Sequence, residues 1–218
     1  ISEISLLLGV KGKSVVAFKR GITGIGPELS CVGVDIIFVK DEIENKLFEK
    51  FRINRTTKVL CAFLYSEVEN LGDINVSEQS FLLYLTQPTN QFFSSANQKK
   101  EIVFLLELAR NMSIKLLIKP HPSDDFNYED LTAKNDFVII EKSLNRAINS
   151  CKYALTKFSG TGIDVIKQGK LLILLDTFHT YPGEKNYYTF AGIGLKFKGE
   201  SVHELSKLIS LNSNSKSD

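Results

Sequence analysis

Nine short apolar runs, at residues 15–18, 36–39, 59–63, 81–85, 115–118, 137–140, 153–156, 171–175 and 195–197, constrain this chain more than any other feature. Most lack a polar residue at every second position. A strand with one face in water alternates apolar and polar side chains. A strand covered on both faces does not, and that is the pattern of a parallel sheet between helices. Helical patterns separate many of the runs. In 41–51, Ile43, Leu47, Phe48 and Phe51 share one face, and in 97–110 Ile102, Leu105, Leu106 and Ala109 do the same. Ser143 is placed to cap a helix reaching about Ser150, and 162–168 reads as a helix stopped by Gly169. Ser201-Val202-His203-Glu204 is a capping-box pattern opening a last helix to about Ile209. Strands alternating with helices predict an α/β fold with a doubly wound parallel sheet.

The segment 66–80 breaks this rhythm: it is acidic, contains Gly72 and has few buried-type runs. It reads as an interdomain connection, with 1–65 before it, a six-strand domain at 81–210 after it, and a polar tail at 211–218. Only three strand runs precede the connection, so the first part reads as the end of a domain whose beginning lies elsewhere. Residue 1 is Ile, which suits a fragment, and no basic-then-apolar leader follows. The 27 basic and 25 acidic residues are nearly balanced, which argues against a nucleic-acid partner. No apolar run approaches the ~18 residues of a membrane span, leaving peripheral association with an inner membrane as the only membrane contact considered. Cys31, Cys61 and Cys151 form no CxxC pair and read as reduced thiols of a cytoplasmic protein without a zinc site.

Two segments carry chemistry. In Ile118-Lys119-Pro120-His121-Pro122-Ser123-Asp124 an apolar strand ends in a loop that holds a histidine between prolines. Ligands of open α/β sheets bind at the carboxyl ends of strands, and the prolines stiffen the loop that presents the imidazole. Such a histidine can donate to a phosphate; the plainer alternative is a turn whose histidine caps a carbonyl. In Thr156-Lys157-Phe158-Ser159-Gly160-Thr161-Gly162-Ile163-Asp164 a strand passes through small residues into a helix. Gly160 and Gly162 are expected to allow unusual backbone shapes, the first helical amides to be open to a phosphate, and Asp164 to face a ribose. The plainer alternative is that Ser159 or Thr161 caps the helix. The spacing puts both loops on one sheet edge.

Together the motifs resemble bacterial GT-B glycosyltransferases of surface-polysaccharide synthesis, above all sialyltransferases, polysialyltransferases and capsular Kdo transferases. Those families hold the CMP part of the donor with an HP motif, matched by His121 and Pro122, and a Ser-Ser/Thr motif, matched by Ser159 and Thr161 with Gly160 between them. CDP-glycerol-type polymerases look similar. Non-hydrolysing UDP-sugar epimerases have a comparable small-residue loop and then an acidic position, which Asp164 fills. The resemblance covers roughly 81–209. It implies a GT-B-like fold, with a Rossmann-like nucleotide-binding domain and the end of an N-terminal α/β domain. The implied activity is transfer of sialic acid or Kdo from a CMP-sugar to a bacterial surface glycan, metal-independent and with no cofactor besides the donor. His121 would be catalytic by stabilising the departing phosphate. Lys119, His121, Pro122, Ser159, Gly160, Thr161, Gly162 and Asp164 would bind nucleotide, and Arg20, Thr86, Asp176 and His179 would be cleft contacts. The alternatives are a UDP-sugar 2-epimerase-like isomerase, a CDP-glycerol-type polyol-phosphate transferase and a non-catalytic nucleotide-binding module. Related polymerases carry His-Gly after an early strand where this chain has Arg20-Gly21, and the resemblance puts the catalytic carboxylate upstream.

Other patterns point nowhere further. Gly12-Lys13-Ser14 lacks the P-loop's first glycine, since Leu7 stands there. Gly21, Gly24 and Gly26 do not complete GxGxxG. Ser159, His121 and Asp164 lack the elbow of a hydrolase. Asp176 and His179 are too few for a metal and read as donor-sugar or base contacts. Tyr181, Tyr187, Tyr188 and Phe190 either stack on a ligand or pack on the sheet.

Overall fold

The computed structural model describes residues 15–18, 34–39, 45, 49, 58–61, 81–89, 93–133, 135–157, 159–178 and 194–213. The chain divides into two compact units, Ile1–Ile74 with Glu184–Ile193, and Asn75–Gly183 with Gly194–Asp218. Outside the described residues lie Gly12-Lys13-Ser14, Arg20 and its neighbouring glycines, the connection at 66–80, His179, the 181–190 aromatic cluster and 214–218.

In the first unit β1 (Val16–Phe18), β2 (Ile36–Val39) and β3 (Lys58–Cys61) form a parallel sheet in sequence order. Val16 pairs with Ile36 and Ile36 with Lys58. Ile37 and Val39 are buried, and the Val15 amide donates to Asp35 Oδ2 at 2.7 Å, tying β1 to the start of β2. Of the helix predicted at 41–51, Asn45 and Glu49 are described, and both are helical.

The second unit runs β4 (Phe81–Leu85), α1 (Ser95–Asn111), β5 (Leu116–Lys119), α2 (Glu129–Thr132), β6 (Val138–Ile140), α3 (Leu144–Ser150), β7 (Cys151–Thr156), α4 (Gly162–Lys167), β8 (Leu171–Asp176), β9 (Leu195–Lys198) and α5 (Val202–Ser213). Its sheet is parallel throughout, ordered β6-β5-β4-β7-β8-β9. From β4 the chain works outward to β6, then crosses back to β7 and works outward the other way. Right-handed crossovers in opposite directions put helices on opposite faces. Alternate strand residues divide accordingly. Leu82, Tyr84, Leu116, Ile118, Tyr153, Leu155, Ile173, Leu175 and Phe197 pack in one core with Ile102, Leu105 and Leu108 of α1 and Leu205 and Ile209 of α5. The intervening Leu83, Leu85, Leu117, Ala154, Leu172 and Leu174 are buried as well. Both faces are covered, which is why the strands carry no polar alternation.

Local chemistry sets the helix ends. Ser94 and Ser143 accept from the Asn97 and Arg146 amides, and Ser201 from Glu204. Gly169 follows α4 at φ +69°, a left-handed conformation that favours glycine. Beyond shifts of one or two residues at strand and helix ends, two details differ from the sequence reading. The short α2 was not expected. Helix α5 runs on to Ser213, past the expected end near Ile209.

Candidate nucleotide site

The strand order fixes where a ligand can sit. The chain leaves β4 toward β5 and leaves β7 toward β8, so the loops after these neighbouring strands part from each other. Such a switch point opens a crevice at the carboxyl edge of the sheet. Residues 86–89 after β4, 120–124 after β5, the loop from Lys157 to Thr161 after β7, and Thr177 after β8 lie along that edge.

The β5 loop is held from below. The Thr86 amide donates to the Lys119 carbonyl at 3.2 Å, continuing the β4–β5 pairing by one residue. The Thr86 hydroxyl accepts from the His121 amide at 2.8 Å and donates to Asp124 Oδ2 at 2.7 Å. The same carboxylate oxygen accepts from Gln98 Nε2 at 2.9 Å and from the Tyr128 hydroxyl, while Oδ1 accepts from the Phe126 amide at 3.1 Å. Burial and the hydrogen bond to Asp124 push the Tyr128 phenol well above its ordinary range. Within the turn, the Ser123 amide donates to His121 Nδ1 at 3.1 Å. A ring nitrogen that accepts carries no proton, so the proton sits on Nε2, which becomes a donor. The half-buried His121 is thus a fixed-tautomer donor, and it caps no carbonyl through Nδ1. Lys119 turns its amine back to the Pro120 carbonyl at 2.6 Å, and burial lowers its pKa. Pro122 is exposed.

The β7 loop differs from its expectation. The Gly162, Ile163 and Asp164 amides donate to the carbonyls of Ser159, Gly160 and Thr161 at 3.0, 3.3 and 3.1 Å. These tight i to i+3 bonds close the turn and use the first amides of α4, which the sequence reading had left open to a phosphate. Among the described amides of this loop, those of Gly160 and Thr161 make no hydrogen bond within the protein. Gly160 and Gly162 are not among the glycines with positive φ, so the loop does not exploit their backbone freedom. What they offer is the absence of a side chain. Thr161 makes no side-chain cap of α4; Ser159 Oγ and Thr161 Oγ1 bond to each other at 2.8 Å. The loop is tied to β4 through Thr156, whose hydroxyl accepts from the Ser159 amide and donates to the Leu85 carbonyl, both at 3.1 Å. Asp164 sits half-buried in the first turn of α4.

Beneath this loop lies a buried ion pair that the sequence reading did not identify. Lys157 at the end of β7 meets Glu101 of α1, with both side chains at most 1% exposed. Lys157 Nζ also donates to the Thr177 carbonyl at 2.5 Å and lies 4.8 Å from the centre of the Phe93 ring. Glu101 accepts from Tyr84 at 2.6 Å and from the Thr177 hydroxyl at 2.7 Å. Burial lowers the lysine's pKa against the pull of Glu101, and burial beside Glu101 raises the Tyr84 phenol. The pair was legible in part, since Gln98, Glu101 and Ile102 share the stripe that Leu105 and Leu108 bury. Asp176 ends β8 half-buried, opposite Lys198. Among the described residues no group of three or more His, Cys, Asp or Glu side chains is arranged to hold a metal, and no helix is long and apolar enough to cross a membrane.

No protein-family model matches the chain, and no curated protein matches it by sequence. Solved structures match its fold. A Methanocaldococcus jannaschii UDP-GlcNAc 2-epimerase, in complex with UDP-GlcNAc and UDP, has a TM-score of 0.65 at 14% identity over 98% of this chain and 66% of its own. A Neisseria meningitidis UDP-GlcNAc 2-epimerase bound to UDP-GlcNAc has a TM-score of 0.62 at 15% identity, over 94% and 63%. A glycosyltransferase of kitacinnamycin has a TM-score of 0.56 at 11% identity, over 85% and 47%. The chain spans 66% or less of the length of each. Its fold is a Rossmann-like parallel α/β fold of the GT-B and nucleotide-sugar epimerase kind.

One expectation is overturned. The sequence reading named a CMP-sugar donor, whereas both epimerase structures hold UDP or a UDP-sugar. The cause is physical. Ser159, Thr161 and His121 offer donors suited to a phosphate, and donors to phosphate do not discriminate one pyrimidine from another. Specificity for sialic acid or Kdo rested on the same motifs and is not retained.

Proposed function

We propose that residues 81–210 form the nucleotide-binding domain of an enzyme that acts on a UDP-sugar, with 2-epimerisation as the favoured reaction. One observation supports the reading: the β5 and β7 loops leave the carboxyl edge on either side of β4, at the switch point of a sheet whose fold is similar to that of UDP-GlcNAc 2-epimerases. In this reading the Gly160 and Thr161 amides and the Ser159 and Thr161 hydroxyls receive the diphosphate. His121 Nε2–H donates to it from the neighbouring loop, and preorganised donors of this kind also stabilise charge that grows during reaction. Asp164 accepts from the ribose hydroxyls. Thr86 and Lys157 support the two loops from beneath.

Titration calorimetry tests the binding step. UDP is expected to bind, and His121→Ala to weaken it by roughly tenfold or more, as loss of a hydrogen bond to a charged group does. Absence of UDP binding would sink the reading. Incubation with UDP-GlcNAc, followed by proton NMR, tests the reaction: epimerisation alters the C2 signals while the sugar stays on UDP. The likeness to a glycosyltransferase supports a second reading, sugar transfer, in which UDP is released and C2 is unchanged.

A further inference from the structure

The turn that carries His121 closes on a single hydroxyl of another strand. The His121 amide donates to Thr86 Oγ1 at 2.8 Å, that hydroxyl donates to Asp124 Oδ2 at 2.7 Å, and the Asp124 amide donates to the His121 carbonyl at 2.9 Å. The ring is complete because one atom both accepts and donates, as a serine or threonine hydroxyl does. Thr86 is 1% exposed, so both its bonds are spent inside the protein. The Asp124 carboxylate is fixed independently by Gln98, Tyr128 and the Phe126 amide. The ring therefore has a rigid far end, and the position of the Thr86 hydroxyl decides where the turn sits. Its backbone also belongs to the edge where β4 meets the β7 loop, since the adjacent Leu85 carbonyl accepts from Thr156.

We infer that Thr86 is a positioning residue for the nucleotide site: by clamping both ends of the 121–124 turn, it sets the orientation in which His121 offers Nε2–H to the phosphates. This rests on the UDP reading above. Thr86 does not touch the ligand; it acts through the turn, which replaces its expected role as a cleft contact.

Thr86→Val keeps the shape and removes both hydrogen bonds, whereas Thr86→Ser keeps them. In nitrogen-15 NMR of histidine-labelled protein, with His121 assigned by a His121→Gln variant, the parent and Thr86→Ser are expected to show one Nε2–H tautomer. In Thr86→Val the two ring-nitrogen shifts should converge as the tautomers average. Calorimetry should show UDP weakened about tenfold in Thr86→Val, with uridine, which lacks phosphate, bound as by the parent. Thr86→Ser should behave as the parent in both measurements. Asp124→Asn, which removes the acceptor charge from the same ring, should shift the imidazole spectrum as Thr86→Val does, and serves if the valine variant does not fold. A parent-like His121 spectrum in Thr86→Val and Asp124→Asn overturns the proposal, as does a serine variant that fails like the valine one. A parent that binds no UDP but shows the expected spectra overturns the nucleotide reading and leaves the clamp standing.

Discussion

The loop after β5 and the loop after β7 leave one sheet edge, and each is tied to the end of β4 by a threonine hydroxyl. Their foundations differ. Under the β5 loop the anchor is Asp124, a member of the loop itself, half-buried and surrounded by neutral donors. Under the β7 loop it is Lys157 paired with Glu101, fully buried and drawn from β7 and α1. A carboxylate satisfied by neutral donors orients a turn without a second charge to balance. A buried ion pair costs much when broken from one side and little when both members are neutralised. The footing of the β5 loop therefore suits the aiming of a side chain. The β7 loop rests on a joint that secures β7, β8 and α1 together.

The largest effect that sharpens this contrast belongs to Lys157→Met. It leaves Glu101 charged and buried and should cost about 3–5 kcal/mol in urea denaturation. Adding Glu101→Gln should recover a substantial part, because the amide oxygen still accepts from Tyr84 or Thr177 without a charge. Equal stabilities of the single and double variants would break the contrast.

Asp124→Ala comes next. It strands the donors of Thr86, Gln98 and Tyr128, at about 1–3 kcal/mol for a buried group left unsatisfied. Here Thr86→Val added to Asp124→Ala should cost less than in the parent, since one stranded donor disappears with it. Additive losses would mean that the two side chains do not share a network.

Tyr128→Phe should show most clearly in alkali. The folded phenol's pKa is raised above the unfolded value of 10.0. The folded state thus holds a proton that the unfolded state gives up, and this contribution is whole below pH 10 and declines as the pH climbs past it. The phenylalanine variant should lose stability less steeply above pH 10. An unchanged slope would separate Tyr128 from the Asp124 hub.

Ser159→Ala with Thr161→Ala should do least to stability. Their hydroxyls bond to each other, and Thr161 makes no side-chain cap of α4, so the two go as a unit and a loss of about 1 kcal/mol or less is expected, the worth of one hydrogen bond. A loss near 2 kcal/mol would instead mark a hidden cap.

Much of this architecture was written in local pattern. The strands at 36–39 and 81–85 fall where the apolar runs begin and end, and Ser143, Gly169 and Ser201 mark helix ends through their own side chains or φ. His121 stood out because prolines flank it. Long-range pairing was not legible. Nothing in the segment around Glu101 names Lys157 as its partner, and nothing beside His121 names Thr86; both pairings exist only once α1 and β4 lie over their neighbours. The closed turn at Ser159–Asp164 was missed for another reason. Whether an amide waits for a ligand or bonds three residues back depends on a small change of ψ, and small residues permit either.

The parallel sheet also dictates an order of events in time. Leu82 reaches Leu116 across a single helix, and Tyr153 reaches Leu171 across another. Phe81 finds Cys151 only after everything from α1 to α3 has been brought home. Closing so long a loop is entropically dearer, and chains dominated by such pairings fold slowly. The β4–β7 seam should therefore be among the last contacts made during refolding, and the crevice above it is the last part of the sheet edge to exist. On the UDP reading proposed above, a nucleotide added to refolding protein would find nothing to bind until that seam has closed, so its binding signal should lag the recovery of helical circular dichroism.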